Sequence, residues 1–264
     1  MNQFFLLFLL LTFVGKQTIA QTIEPLHDFY VAKKNLRKSH QTTQNTILFQ
    51  GKDMITNTVF TAEYDQIIEK PTTKQQIRIV NKKYDGYVEI MGNKQEIKDN
   101  PEANKPIIIF VNQDGIIDSV NASEVILNQL KQTITSRIEK GKPNPHFLHV
   151  KNSKKIGDLW TDSSYVSNEN NSYFVNYKFE RQEGNLNVLT FQGDIKMLND
   201  FEQNGVSFQT NVIGNSSGTI YVEPNTNYIV KSEGTMKLEG RMIVNTDEFP
   251  TVIKGTFKDE LITK

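Results

Sequence analysis

No cysteine occurs in the 264 residues, and tryptophan appears once, as Trp160. Without thiols there are no disulfides, no thiolate metal ligands, no cysteine nucleophile and no lipid attachment through an N-terminal cysteine. The fold must be held by its core, which a chain of this length can build. A dominant charge is missing too, since 30 basic residues balance 30 acidic ones. That neutrality gives no basis for nucleic-acid binding or for electrostatic attraction to a membrane. Neither a phosphate-cradling glycine loop with lysine nor a dinucleotide fingerprint is present. No apolar run reaches the roughly 20 residues that span a bilayer.

What is present begins with an address. Residues 4–14 are almost wholly apolar, and Thr18-Ile19-Ala20 ends in the small residue that a signal peptidase reads. The pattern predicts a cleaved signal peptide over 1–20, with Gln21 first in the mature chain; a retained anchor is the alternative. The expected location is therefore secreted or periplasmic, with no transmembrane segment in the mature chain. Lack of cysteine suits an exported bacterial protein better than a disulfide-stapled one.

Residues 21–42 carry the basic group Lys33, Lys34, Arg37 and Lys38, read as a solvated face on a lead-in of helical or extended form. From residue 43 the period becomes two. Strands are expected over 46–50, 54–68, 75–80 and 87–91, with turns at Gly51-Lys52-Asp53 and Asp85-Gly86. Residues 107–111 and 116–120 flank Asn112-Gln113-Asp114-Gly115 as a hairpin. Asn121 offers a helix cap with Glu124 as its capping-box partner. Leu127, Leu130, Ile134 and Ile138 then recur at helical spacing up to Gly141. This predicts one long amphipathic helix over 121–140.

Residues 143–155 read as a linker. Beyond Trp160 the period of two returns: Tyr173, Val175, Tyr177 and Phe179 alternate with Phe174, Asn176, Lys178 and Glu180. Turns are expected at Glu183-Gly184-Asn185, Asn204-Gly205, 214–218 and Pro224-Asn225-Thr226-Asn227. Regular turns between alternating strands predict an antiparallel sheet, not βαβ units. The fold class expected is mainly β, or β-rich α+β: a large curved antiparallel sheet, half-barrel or sandwich-like, with one long helix. Residues 43–264 form a single domain, readable as two related halves joined near 142–160.

Three constellations could carry chemistry. Gly214-Asn215-Ser216-Ser217-Gly218 fits the Gly-x-Ser-x-Gly elbow of serine hydrolases, which needs a helix after it and a later histidine. Here a strand-like run follows, and His27, His40, His146 and His149 all precede it, so a glycine-rich hairpin turn is the better reading. His146 and His149 have the spacing of a zinc pair, with Asp158 or Asp162 as a third ligand, but Pro143 and Pro145 precede them and no glutamate stands beside them. Asp158 and Asp162 lack the alternation of calcium loops. No catalytic residue, metal site or cofactor is assigned.

The stretch Gly157-Asp158-Leu159-Trp160, preceded by the Asp-Gly-turned strand pair and the helix, resembles an uncharacterised secreted Bacteroidetes family, the domain of unknown function 6263. Its later strand–turn–strand corresponds to residues 218–231, with Asn227 where that group would have glycine; asparagine tolerates the same left-handed backbone. The resemblance implies no activity or site residues. It implies an architecture like that of envelope proteins that hold acyl chains, an analogy of fold alone.

The function expected is an exported, non-catalytic protein binding an apolar or envelope-derived ligand, such as lipid, or a partner protein in the envelope. The alternatives are a secreted hydrolase using a carboxylate pair and a structural or adhesive envelope component.

Overall fold

The chain starts its sheet in the middle, builds outward to one edge, crosses to the other edge and builds back. This is a computed structural model, and it describes residues 22–25, 33–69, 75–97, 105–112, 114–124, 138–163, 171–203 and 206–262. The first half comprises β1 (Thr22–Ile23), β2 (Lys33–Phe49), β3 (Lys52–Glu69), β4 (Gln75–Ile90), β5 (Asn93–Glu96), β6 (Ile107–Val111) and β7 (Ile117–Asn121). The second comprises β8 (Lys154–Lys155), β9 (Leu159–Asp162), β10 (Ser172–Glu183), β11 (Leu186–Gln203), β12 (Val206–Val222), β13 (Ile229–Val244) and β14 (Asp247–Leu261). Twelve strands form one antiparallel sheet in the order β7-β6-β4-β3-β2-β14-β13-β12-β11-β10-β9, with β5 on β4. The sheet is open, since β7 and β9 end the path and do not pair with each other. β1 and β8 form a separate two-stranded piece.

The strands arise from the alternation expected of them. In β10, Tyr173, Val175, Tyr177 and Phe179 are buried, while Asn176 and Lys178 face solvent. Each fully buried side chain of this kind, such as Phe179 or Leu189, contributes roughly 1.5–3 kcal/mol. On the opposite face the pattern Lys-x-Glu recurs, pairing Lys178 with Glu180, Lys231 with Glu233, Lys237 with Glu239 and Lys258 with Glu260. These exposed pairs contribute little to stability. They make that face wet.

Several expectations are corrected. Residues 33–42 are the first part of β2, so the lead-in boundary near 42 falls inside a 17-residue strand. Asp85-Gly86 does not turn; β4 runs straight through it. Gly86 is there because a Cβ would lie 2.4 Å from the Val59 carbonyl oxygen of the neighbouring strand. Residues 214–218 are likewise strand interior, in β12, and a Cβ on Gly218 would lie 2.1 Å from the Glu233 oxygen. Glycine inside a strand can mark close backbone approach as well as a turn, and both positions take the first meaning. Asn121 pairs with Ile108 at the end of β7 and so does not cap a helix. The remainder of the expected helix lies largely on residues 125–137, outside the described residues, and no helix is among the described elements. Asn204-Gly205 is also outside them, although the flanking Gln203 and Val206 pair.

The first turn sits one residue earlier than expected, at Gln50-Gly51, with φ of 50° and 75°. Positive φ at both central residues is the hairpin geometry that matches strand twist. Asn112 holds the β6–β7 turn by accepting from the Asp114 and Ile116 amides at 3.0 and 2.9 Å. If the strand-interior glycines act through close approach, Gly218→Ala lowers stability by about 1–3 kcal/mol. Ser217→Ala, on the wet face, stays within about 0.5 kcal/mol. Urea denaturation of both variants checks the contrast.

Candidate functional site

The face carrying Phe179 and Leu189 is crossed at one end by residues 138–158, the connection between the two edges. It leaves β7 where the Ile117 amide donates to Lys142 O and the Asn144 amide to Gly115 O. It reaches the middle of the sheet beside the β12–β13 turn, where Leu148 N donates to Asn227 O at 2.8 Å and Ile229 N to His146 O at 2.9 Å. Consecutive side chains then part: Phe147 enters one buried cluster, with Ile68, Ile77, Ile109 and Tyr228, and Leu148 enters the other, with Phe179, Leu189 and Val222. The expected linker is in fact the wedge between two cores.

Beneath this wedge lies Arg37, buried to 1% exposure. Its Nε and Nη2 donate to Asp259 Oδ2, and its Nη1 donates to Tyr228 Oη at 3.0 Å and to Ile229 O at 2.8 Å. Tyr64 Oη donates to Asp259 Oδ1 at 3.0 Å. Tyr228 Oη accepts from Asn35 Nδ2 at 3.0 Å and donates to Gln66 Oε1. Burial by itself would lower the Arg37 pKa, but Asp259, Tyr64 and Tyr228 outweigh it and the guanidinium is held more firmly protonated than usual. Burial, then the Asp259 charge, pushes the Tyr64 phenol up. This network is a structural lock with no free nucleophile in it. Sequence reading placed Arg37 on a solvated face; nothing local marks it otherwise, because Asp259 is 222 positions away.

Gly157 and Asp158 form a tight joint leading into β9. Gly157 has φ of 94°, its amide donates to Phe179 O at 2.7 Å, and Asp158 Oδ2 accepts from the Lys155 amide at 2.8 Å. Trp160 stacks on Tyr177 with centroids 5.5 Å apart, at the margin of the core. Asn227 has φ of 51° in the left-handed region, and its Nδ2 donates to Glu24 O at 2.7 Å. Glycine there could make the turn but could not tie down the N-terminal segment.

The residues of the three constellations weighed from the sequence fall as follows. Ser216 is buried with Tyr173 Oη 3.0 Å from its Oγ. His40 instead meets Thr61, at 2.8 Å. Among the described residues no three His, Asp or Glu side chains group as a metal site. The Nε2 atoms of His146 and His149 are buried without a hydrogen-bond partner among the described residues.

Away from the wedge, the same face is only half covered. Met236, Met242, Ile253 and Phe257 are half-buried, with Met197 beside them and Phe257 stacked on Phe191 at 6.1 Å. The adjoining β2 shows Ser39, Gln41, Thr43 and Asn45 on this face. The opposite face carries a cross-strand polar ladder, Asp194, Asn215, Lys237, Lys254, Gln44, Asn57, Glu89 and Lys94. Two open grooves follow it, of about 850 and 630 Å³. The first holds Asp194 and Glu239, but the Lys237 hydrogen bond keeps the Glu239 carboxyl below its usual range. A general acid needs the opposite shift.

No protein-family model matches the chain, and no curated protein does. A solved structure described as lipid–protein interactions in lipovitellin shares the fold, with a TM-score of 0.52 and 11% identity over 89% of this chain. This chain spans 25% of the length of that one.

The buried histidines make stability pH-dependent. Burial, with Arg37 adding to it, takes His146 from 6.5 to about 3. Burial takes His149 to about 4 against the opposing pull of Asp162 and a backbone hydrogen bond. Between these values and pH 6.5 the unfolded chain binds more protons than the folded one, so stability falls as pH falls through that window and is level above it. Thermal melts from pH 7 to 4 should show this loss, and His146→Gln should make it shallower.

Proposed function

We propose that this chain is an exported, non-catalytic carrier that shelters a lipid-like amphiphile on the half-covered part of its sheet. The observation that supports the reading is the patch of Met197, Met236, Met242, Ile253 and Phe257. Three of the six methionines in the chain lie in it. Flexible, polarisable methionine suits a surface that adapts to different apolar partners. The hydroxyl and amide side chains of β2 beside it would meet the polar end of an amphiphile. The lipovitellin structure, described for its lipid–protein interactions, fits the same reading. Export with a cut after Ala20, and membership of the secreted group that the Gly157–Trp160 stretch resembles, belong to this proposal.

Protein purified from its native host should begin at Gln21 and release lipid on solvent extraction, read by mass spectrometry. A fluorescent acyl probe should bind, and Met236→Lys should weaken it about tenfold or more by placing an unpaired charge in the patch. Extracts free of lipid together with no probe binding would sink the carrier reading.

A further inference from the structure

Leu48, Phe49, Ile55, Ile90 and Met91 are all exposed large apolar side chains, and all sit at one end of the sheet, far from the wedge. They come from two hairpins, β2–β3 and β4–β5, joined where the Met91 amide donates to Ile55 O at 3.2 Å. Phe49 also meets Phe249, at 5.3 Å between centroids, which ties the β13–β14 hairpin into the same rim. By register Phe49 and Ile90 lie on the core-side face and Leu48 and Ile55 on the opposite one. Exposed apolar side chains thus flank this sheet end on both faces, and clustered exposed apolar surface marks an interaction site.

Met91 makes the case more pointed. It is 66% exposed and has φ of 50° in the β4–β5 turn, where the next residue is Gly92. That backbone position favours glycine, asparagine or aspartate. Methionine there costs backbone energy and places apolar surface in water, so folding alone does not account for it.

We propose that these hairpin tips form a membrane-docking rim that inserts into the surface of a lipid bilayer. Met91 is in a turn, and the other four are strand residues near the hairpin turns, on both faces of the sheet. A bilayer accepts that arrangement without a shape-matched partner. Charge is mixed at this end: exposed Lys52, Lys94 and Arg241 stand among Asp53, Glu96, Asp247 and Glu248, so no strongly charged partner is selected. Insertion is driven by apolar burial and needs no anionic lipid. The rim would bring the amphiphile patch to its source, and to that extent the inference rests on the carrier reading.

Sedimentation of the mature protein with phosphatidylcholine vesicles, with and without added phosphatidylglycerol, tests the rim. Met91→Gly relieves the backbone conformation, so it should melt no lower than the wild type while binding vesicles less. Leu48→Ser combined with Met91→Gly should reduce partitioning about tenfold. Acyl-probe uptake should be unchanged in both. Vesicle binding lost in these variants supports the rim even if the wild type takes up no probe, in which case only the carrier reading falls. A wild-type protein that ignores neutral vesicles, variants that bind as well as the wild type, or variants that change only the oligomeric mass would each overturn it.

Discussion

The buried guanidinium of Arg37 holds the centre of the molecule, and its position explains why that matters. β2 is the first long strand and β14 the last, and their pairing is the seam along which the two halves of the sheet meet. Arg37 spans that seam to Asp259 on β14 and reaches the β12–β13 turn through Tyr228 and the Ile229 carbonyl. A charge so deeply buried is expensive unless its donors are satisfied. Here Arg37, from the first half, has its donors satisfied by Asp259, Tyr228 and the Ile229 carbonyl, all from the second, so the network can form only when both halves are in place.

The wedge depends on the same turn. Residues 146–148 pair with 227–229, and Tyr228, the partner of Arg37, packs against Phe147 with centroids 5.3 Å apart. Seam and wedge therefore meet at one residue. Fixing that end leaves the rest of the sheet as long, singly covered strands. Their apolar residues stay half exposed on one face, and their hairpin tips project freely. The proposed ligand patch and membrane rim both lie in this region, away from the lock.

Much of this was readable along the chain and much was not, for physical reasons. The alternation of Tyr173, Val175, Tyr177 and Phe179 fixes a face because neighbouring positions in a strand point oppositely. The turn at residues 224–227 and the Gly157-Asp158 joint follow from local backbone preference. Gly86 and Gly218 misled because glycine permits both a turn and a close approach, and the approaching strand is remote in sequence. Arg37 looked like one charge among four because Asp259 meets it only once β14 pairs with β2. The wedge looked like a linker since its burial comes from cores on either side, and Pro143, Asn144 and Pro145 within it read locally as loop. Hairpin tips offered no signal, as apolar residues near Gly51 and Gly92 read as ordinary strand ends.

A double-mutant cycle of Arg37→Met and Asp259→Asn, measured by urea denaturation, tests the seam most directly. The account predicts a loss of about 3–5 kcal/mol for Arg37→Met, which leaves Asp259 without its buried partner. It also predicts a coupling of about 1–3 kcal/mol between the two positions. Losses that add, with no coupling, would contradict it: the halves would then be held by the strand ladder and the two cores alone.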